Sequence, residues 1–356
     1  MSLTKWIYWF DELGKEHSGL VGKKCANLGE LTKGGFRVPP GFALVLEAYK
    51  RFLTRTGAIE EIRRYLDTFT ADPNNPRDIP KYEEASKVIR GIVESKAMPT
   101  DMQDEIVAYY DELCQRTGID AVPVATRSAG PESHPGQYET FLHVRGESDV
   151  IQKIVKVWAS TFNTRSLMAR ARGGLLLEYD PIGVGVLKMT NARVAGVMFT
   201  LNTTNGDNSK ITIEGSWGLG ESVVSGRVVP DYWMVDKVRL EITKVITKKK
   251  LTQCVYDLKT KSAVFEDIPP EMQDILCLTS EEVIELARLG KEIEKHYGCA
   301  QDIEWAIDQD LEFPRNVFLL QTRPETIWSK VEKKPVLGTQ SSAIKTMVHR
   351  LTHIKR

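Results

Sequence analysis

The spacing of apolar residues divides the chain into helical and extended stretches. Residues 47–118 are mostly helical in pattern, because apolar side chains recur every three to four positions over residues 82–98 and 100–116. Pro99 and Gly118 end these two helices, and the prolines and asparagines of residues 71–80 predict a loop. A third helix is predicted over residues 148–172, where one wide face is apolar.

Beyond residue 183 the apolar period changes to two, which is typical of half-buried strands. Asn, Gly and Asp turns separate strands predicted at residues 183–189, 195–200, 210–214, 232–235, 240–247 and 262–265. Two further strands, at residues 302–307 and 317–322, predict a hairpin. These patterns predict an α+β protein with a helical N-terminal region and a mostly antiparallel sheet.

Two more helices are predicted toward the C-terminus. Thr279 and Glu282 form a capping-box pattern ahead of an apolar-periodic stretch that Gly298 ends. After Pro324 the sequence resembles a linker, and residues 344–354 then predict a short basic amphipathic helix. Such a helix requires another surface to lie against.

The composition excludes several classes of protein. The 356 residues include 48 basic and 48 acidic side chains, so no net charge favours nucleic acid or a membrane as partner. Five scattered cysteines without a CxxC pair favour reduced thiols over a disulfide framework or a zinc site. We find neither a signal-peptide core nor a membrane-spanning stretch, and we expect a cytoplasmic protein.

A first candidate for phosphate chemistry is the segment from Gly22 to Glu30. A glycine turn precedes a helix there and delivers Lys23 and Lys24 to its start, where ammonium groups and free backbone N–H groups can hold phosphate oxygens together. The P-loop pattern GxxxxGK[ST] is absent. Taken alone, the two lysines could equally be a solvated pair at a helix start.

A second candidate is the loop at residues 126–137, which follows a short predicted strand and in which small and glycine residues surround Arg127. Backbone amides of such a loop can close over a polyphosphate while the guanidinium binds its oxygens. The alternative is an ordinary surface loop, in which His134 would be a solvated side chain. A glycine-rich stretch at residues 214–226 is a third candidate, for close approach of backbone to a ligand, or else a tight structural turn.

A fourth candidate is the predicted C-terminal hairpin. A period of two places the carboxylates of Asp302 and Glu304 on one face of their strand, and Gln321 and Arg323 share a face of the next. Two acids, an amide and an arginine together would make an oxygen-ligand site for Mg²⁺ with a cation directed at phosphate. A plain amphipathic hairpin with a solvated face is the alternative.

The order of these motifs resembles one family. A glycine–lysine turn, an arginine–glycine loop, GLGE and DIEW…LLQTRP in succession are similar to the N-terminal ATP-binding domain of phosphoenolpyruvate synthase, pyruvate phosphate dikinase and rifampicin phosphotransferase, over residues 6–325. The resemblance implies an ATP-grasp-like fold whose two lobes enclose ATP and Mg²⁺. It implies an N-terminal lobe at residues 1–190, a C-terminal lobe with the metal site at 191–327, and a basic tail at 328–356.

The resemblance also implies roles for residues of this chain that bind phosphate. Lys24 matches the phosphate-binding lysine, with Lys23 as the alternative one residue away. Arg127 matches the arginine that opens the glycine-rich loop, and Arg323 the second phosphate-binding arginine. Gly136 and Gln137 end the loop.

The remaining implied roles concern the metal and the base. Glu304 and Gln321 resemble metal ligands, with Glu304 also near the nucleotide and Asp302 beside them, while Lys188 and Met189 resemble the hinge next to adenine. Three positions depart from the family pattern, since Lys23 and Cys25 replace glycines and Leu187 replaces a common glutamine.

The family implies a phosphotransferase that passes a phosphoryl group from ATP to a histidine. The family's T-G-G-x-x-S-H-A segment, which carries that histidine, is absent from the 356 residues. We therefore expect an ATP-binding subunit that acts with a histidine-bearing partner subunit, as in phenylphosphate synthase, with phenol among the candidate final acceptors. A non-catalytic nucleotide sensor and an ATP-grasp carboxylate ligase are the alternatives.

Overall fold

Two antiparallel sheets organise the computed structural model, which describes residues 5–131, 138–257, 259–260 and 262–328. The first sheet has the strand order β1-β2-β5-β3-β4. Its strands are β1 (Ile7–Trp9), β2 (Gly41–Leu44), β3 (Val124–Ala129), β4 (Thr140–Val144) and β5 (Gly183–Lys188).

The second sheet has six strands in the order β13-β12-β6-β7-β8-β9, and a separate hairpin pairs β10 with β11. These strands are β6 (Ala192–Phe199), β7 (Lys210–Trp217), β8 (Asp231–Asp236), β9 (Glu241–Ile246), β10 (Thr252–Asp257), β11 (Ser262–Asp267), β12 (Gln301–Asp308) and β13 (Val317–Pro324).

Helices cover the sheets. They are α1 (Ser18–Val21), α2 (Lys23–Lys33), α3 (Leu46–Arg55), α4 (Ala58–Leu66), α5 (Ile79–Glu94), α6 (Thr100–Thr117), α7 (Glu147–Ala159), α8 (Thr164–Arg172), α9 (Glu221–Val224), α10 (Pro270–Gln273) and α11 (Ser280–Tyr297), with short 3-10 turns at Phe10–Glu12, Lys15–His17, Pro76–Asp78 and Ser160–Phe162. None of the described helices combines the length and the apolar character that crossing a bilayer would require.

Each sheet has its own apolar core. The first core extends from Trp6 to Leu187 in sequence and contains the buried faces of α3, α5, α6 and α7. The second contains the apolar face of α11 and buried residues between Val194 and Leu319. Leu31 of α2 also belongs to the second core, so this N-terminal helix contacts both layers.

The predicted fold class, α+β with mostly antiparallel sheet, is confirmed. The capping box at the start of α11 is also confirmed. The Glu282 backbone N–H donates to the Thr279 hydroxyl at 3.2 Å, and the Thr279 backbone N–H donates to the Glu282 carboxylate at 2.9 Å. Gly298 ends this helix in the left-handed conformation, with φ 73°.

The single helix predicted over residues 148–172 is wrong. The apolar face continues through this stretch, but Asn163 is extended (φ −63°, ψ 154°) and its side chain accepts from the Ser166 backbone N–H at 2.8 Å. Asn163 therefore starts a new helix, α8, because asparagine is a strong N-cap residue. Local capping outweighs the continuous amphipathic pattern here.

Four strands have no counterpart in the sequence prediction: β1, β2, β4 and β10. All four residues of β2 are buried, so it lacks the alternation that marks a strand, and β1 is only three residues long.

The lobe boundary at residue 190 stays a prediction. The strands of the first sheet all precede this residue, and those of the second sheet all follow it. The described residues up to Pro324 form one compact unit. The basic helix predicted at residues 344–354 lies outside the described residues.

Candidate functional site

A cleft of about 450 Å³ opens between the two sheets. Residues of β3, β5, β6, β12 and β13 line it, together with the first turn of α2 and the segment that follows β5. Seven of the sequence-predicted site residues line this cleft: Lys24, Arg127, Lys188, Met189, Glu304, Gln321 and Arg323. Gly136 and Gln137, like His134, lie outside the described residues.

The start of α2 is held close to the end of β3 by a glycine. Gly22 has φ 81°, and a Cβ placed there would lie 2.0 Å from the Ala129 carbonyl oxygen. The Lys23 backbone N–H then donates to the Gly130 carbonyl at 2.9 Å. Glycine is therefore required at this turn, both for its backbone conformation and for the close approach of the two segments.

The two lysines at this helix start differ in environment. Lys23 is exposed, whereas Lys24 is half-buried and lines the cleft. Burial lowers the pKa of the Lys24 ammonium to about 8, and the positive charge of Arg127 adds to this effect. Lys24 is thus the lysine whose charge depends on the contents of the cleft, which supports its assignment over Lys23.

Strands β12 and β13 bring the four polar residues of the hairpin together. Asp302 pairs with Arg323 and Glu304 with Gln321 across the antiparallel ladder. The register shifts beyond Glu304, and Leu320 is left without a residue opposite it. This bulge directs Leu320 into the cleft beside Gln321, while its neighbour Leu319 stays in the core.

Arg127 of the first sheet reaches across to this hairpin. Its guanidinium donates to the Leu320 carbonyl at 3.1 Å and to the Gln321 side-chain oxygen at 2.8 Å, and it lies 3.8 Å from the Glu304 carboxylate. The Gln321 amide donates to Glu304 at 3.2 Å. Arg127, Gln321 and Glu304 therefore form one polar network that joins β3 to the second sheet.

Asp302 lies behind Arg323 rather than on the cleft wall. Two guanidinium nitrogens of Arg323 each approach the same Asp302 oxygen at 2.7 Å, and the Arg323 side chain is 43% exposed against 13% for Asp302. Among the described residues that were predicted, Asp302 is the one that does not line the cleft. This geometry fits a residue that orients Arg323.

The oxygen ligands that the cleft offers fit a Mg²⁺ ion that arrives with a polyphosphate. Glu304 supplies two carboxylate oxygens and Gln321 one amide oxygen, and the described residues contain no cluster of three or more His, Cys, Asp or Glu side chains able to hold a metal. Mg²⁺ is commonly bound by one or two protein side chains plus phosphate oxygens and water. The site suits that arrangement and not a self-sufficient metal centre.

The opposite end of the cleft is apolar. Ala125, Leu142, Leu187 and Leu219 line it near Lys188 and Met189. The backbone N–H groups of these last two residues donate to the carbonyls of residues 40 and 123 at 2.9 and 2.8 Å, which fixes the segment after β5. This end is therefore mostly apolar, with one cation, the Lys188 ammonium, which donates to the Met189 carbonyl at 3.4 Å.

Two features of the wall escaped the sequence prediction. Tyr138 lines the cleft and donates its hydroxyl to Asp180, which lies near the buried guanidinium of Arg170. No local signal could reveal this contact, because the two partners are 42 residues apart. Thr190 also lines the cleft.

The glycine-rich candidate at residues 214–226 does reach the site. Leu219, Gly220 and Glu221 line the cleft, and the Leu219 backbone N–H donates to the Cys254 carbonyl at 2.8 Å. Gly218, at φ 78°, makes the turn that precedes them.

Comparison with known proteins identifies the family. The domain described as pyruvate phosphate dikinase, AMP/ATP-binding domain, matches residues 18–343. The chain belongs to this family. Membership confirms the resemblance that the sequence motifs predicted and supports ATP as a substrate.

The chain is also similar to curated proteins of this family. It is 40% identical to a probable phosphoenolpyruvate synthase of Staphylothermus marinus, over 93% of this chain and 43% of that protein. It is 38% identical to the phosphoenolpyruvate synthase of Aeropyrum pernix, over 92% and 43%, and 38% identical to a probable one of Pyrococcus horikoshii, over 96% and 46%. The chain therefore spans less than half the length of these relatives.

Among solved structures, D-alanyl-alanine synthetase A from Vibrio cholerae is similar at 11% identity and a TM-score of 0.27, over 76% of this chain and 65% of that one. A likeness this low supports no further conclusion.

Proposed function

We propose that the chain binds ATP with Mg²⁺ in the cleft and activates it for transfer of a phosphoryl group to a histidine on a partner subunit. The observation that carries this proposal is the convergence of Lys24, Arg127 and Arg323 in one cleft, beside Glu304 and Gln321. Family membership and the similarity to phosphoenolpyruvate synthases support ATP-dependent phosphoryl transfer.

The three cations would stabilise the charge that develops on the phosphate chain during transfer. Without a nucleotide, the Arg127 guanidinium is engaged by Gln321 and lies near Glu304. Phosphate oxygens offer it stronger, charge-assisted acceptors, so we expect Arg127 to exchange these partners when ATP binds. Glu304 and Gln321 would hold Mg²⁺. When bound, this ion would neutralise phosphate charge and align the phosphate groups of ATP for attack by the acceptor.

The acceptor histidine is proposed to come from outside the cleft. Among the described residues, no histidine lines it. We propose a partner subunit that presents the imidazole, an arrangement like that of phenylphosphate synthase with phenol as one candidate final acceptor. AMP is the expected nucleotide product: the histidine nitrogen attacks the β-phosphorus and displaces AMP, water then releases the γ-phosphate as inorganic phosphate, and the β-phosphoryl group stays on the histidine.

Two of the three departures from the family pattern lie away from the cleft. Lys23 is exposed, and the Cys25 thiol is buried against Gly185, where burial raises its pKa to about 12. Leu187 does line the cleft, at its apolar end. This placement weakens the case for a non-catalytic nucleotide sensor.

A cytoplasmic location is also part of the proposal, and the free cysteines among the described residues are consistent with it.

The experiment incubates the chain with ATP labelled in the β- or γ-phosphate and with a histidine-bearing domain supplied as a second polypeptide. We expect label from the β-phosphate on the histidine and AMP in solution. Arg323→Ala should lower this transfer about 10²- to 10³-fold, as removal of one group that stabilises transition-state charge does. Arg239→Ala, whose side chain is 75% exposed at a distant turn, is the matched control.

The alternatives give different results in the same assay. Formation of ADP without any partner would favour the carboxylate ligase. Tight ATP binding without transfer to any histidine-bearing domain would favour the sensor. Wild-type transfer by Arg323→Ala would remove this residue from the mechanism.

A further inference from the structure

Thr190 is a residue of the cleft wall whose hydroxyl is buried and has no hydrogen-bond partner among the described residues. The residue follows Lys188 and Met189 directly, lines the cleft and is only 6% exposed. Its Oγ1 makes no hydrogen bond to any of the described residues. A buried hydroxyl without a partner is costly, and native structures retain few of them.

The surrounding backbone cannot easily satisfy this hydroxyl. The Met189 backbone N–H donates to the Pro123 carbonyl at 2.8 Å, and the Thr190 carbonyl accepts from the Ala192 backbone N–H at 2.9 Å. These bonds fix the backbone on both sides of the side chain. The backbone on both sides of the hydroxyl is therefore fixed, and the cleft that Thr190 lines is the neighbouring space that could hold a partner for it.

The position of Thr190 along the cleft indicates which part of a nucleotide it meets. Gly185 of β5 pairs with Arg127, at the cationic end. Thr190 lies five residues farther along, which is roughly 16 Å in extended chain. Leu187 and Leu219 line the cleft and offer apolar surface to a flat ring, and the Lys188 ammonium beside them is engaged by the Met189 carbonyl at 3.4 Å.

We propose that the Thr190 hydroxyl hydrogen-bonds the edge of the adenine ring and is a specificity-determining contact of the nucleotide site. A threonine hydroxyl can both donate and accept, so it can pair with the exocyclic amino group or with a ring nitrogen of the base. This inference rests on the proposed function, because it assumes that ATP occupies the cleft.

The test replaces the hydroxyl by a methyl group of similar shape. Calorimetry on Thr190→Val should show ATP binding weakened about 5- to 10-fold, the range expected for one lost hydrogen bond. Binding of inorganic tripolyphosphate, which has no base, should remain at the wild-type level. Thr190→Ser, which keeps a hydroxyl, should bind ATP within about 2-fold of the wild type.

The thermal stability of the variants, measured without added nucleotide, supplies a second readout. Removal of a buried hydroxyl without a partner should leave the thermal midpoint of Thr190→Val equal to or above that of the wild type. Thr126→Val is the matched control, because Thr126 also has a buried hydroxyl without a partner among the described residues, on the side of β3 opposite Arg127. It should keep wild-type ATP affinity.

The outcomes separate this inference from the proposed function. If the wild type binds ATP and Thr190→Val binds it equally well, the contact with the base is refuted and the proposed function stands. A parallel loss of tripolyphosphate binding would also refute it, since the effect would then lie in the phosphate end or in the fold. If the wild type binds no ATP, both proposals fall.

Discussion

The pH dependence of ATP binding should report the charge of Lys24. Its pKa of about 8 in the nucleotide-free protein means that the ammonium is about nine-tenths protonated at pH 7 and about one-tenth at pH 9. Phosphate binding favours the charged form and raises this pKa. If only the ammonium binds phosphate well, ATP affinity falls about tenfold between pH 7 and pH 9, with proton uptake on binding at the higher pH.

Substitution of the lysine should remove this dependence. Lys24→Met is expected to weaken ATP binding at pH 7 by about 10- to 100-fold, the loss of a hydrogen bond to a charged group, and to flatten the affinity profile above pH 7. Lys23→Met is the matched control, because Lys23 is the exposed neighbour on the same helix turn. Calorimetry in two buffers of different ionisation enthalpy measures both the affinity and the proton uptake.

The stability of the nucleotide-free protein should change with pH in the opposite direction. The folded-state pKa of Lys24 lies below the ordinary value of 10.5, so the unfolded chain holds more protons between about pH 8 and 10.5. The contribution of Lys24 to the free energy of unfolding therefore rises with pH across this window. Denaturant unfolding of the wild type and Lys24→Met measures the difference. The assignment of the phosphate-binding role to Lys24 would be refuted if wild-type ATP affinity did not change between pH 7 and pH 9. It would also be refuted if Lys23→Met, and not Lys24→Met, removed this pH dependence.

Two further substitutions test the framework around the site. Gly22→Ala should destabilise the fold by about 1 to 3 kcal/mol in denaturant unfolding and weaken ATP binding, because the added Cβ would meet the carbonyl at the end of β3. Gly57 has φ 71° and no atom lies within 4 Å of a Cβ added there, so Gly57→Ala should lower the free energy of unfolding by less than Gly22→Ala and leave ATP affinity unchanged. Lys250→Met should lower the free energy of unfolding by about 3 to 5 kcal/mol, since it leaves the buried Asp231 carboxylate without its cation at 2.8 Å. An equal loss in the exposed Lys249→Met would contradict this explanation.

The sequence by itself determined the features that depend on neighbouring residues. The capping box of α11 and the shared face of Asp302 and Glu304 follow from spacings of two and three residues, and the structure has both. Motif order was sufficient to predict the family. A helix cap acts over one turn and a strand alternates at every residue, so short stretches of sequence carry this information.

Only the tertiary structure decided which of these groups meet. The Leu320 bulge, the reach of Arg127 to Gln321 across 194 residues of sequence and the membership of Leu31 in the second core have no local signal. The same holds for the environment that distinguishes Lys24 from Lys23, because burial and neighbouring charge set a pKa and neither is encoded by residue type. Contacts between distant segments arise when two faces pack, and the pattern of either face alone does not specify its partner.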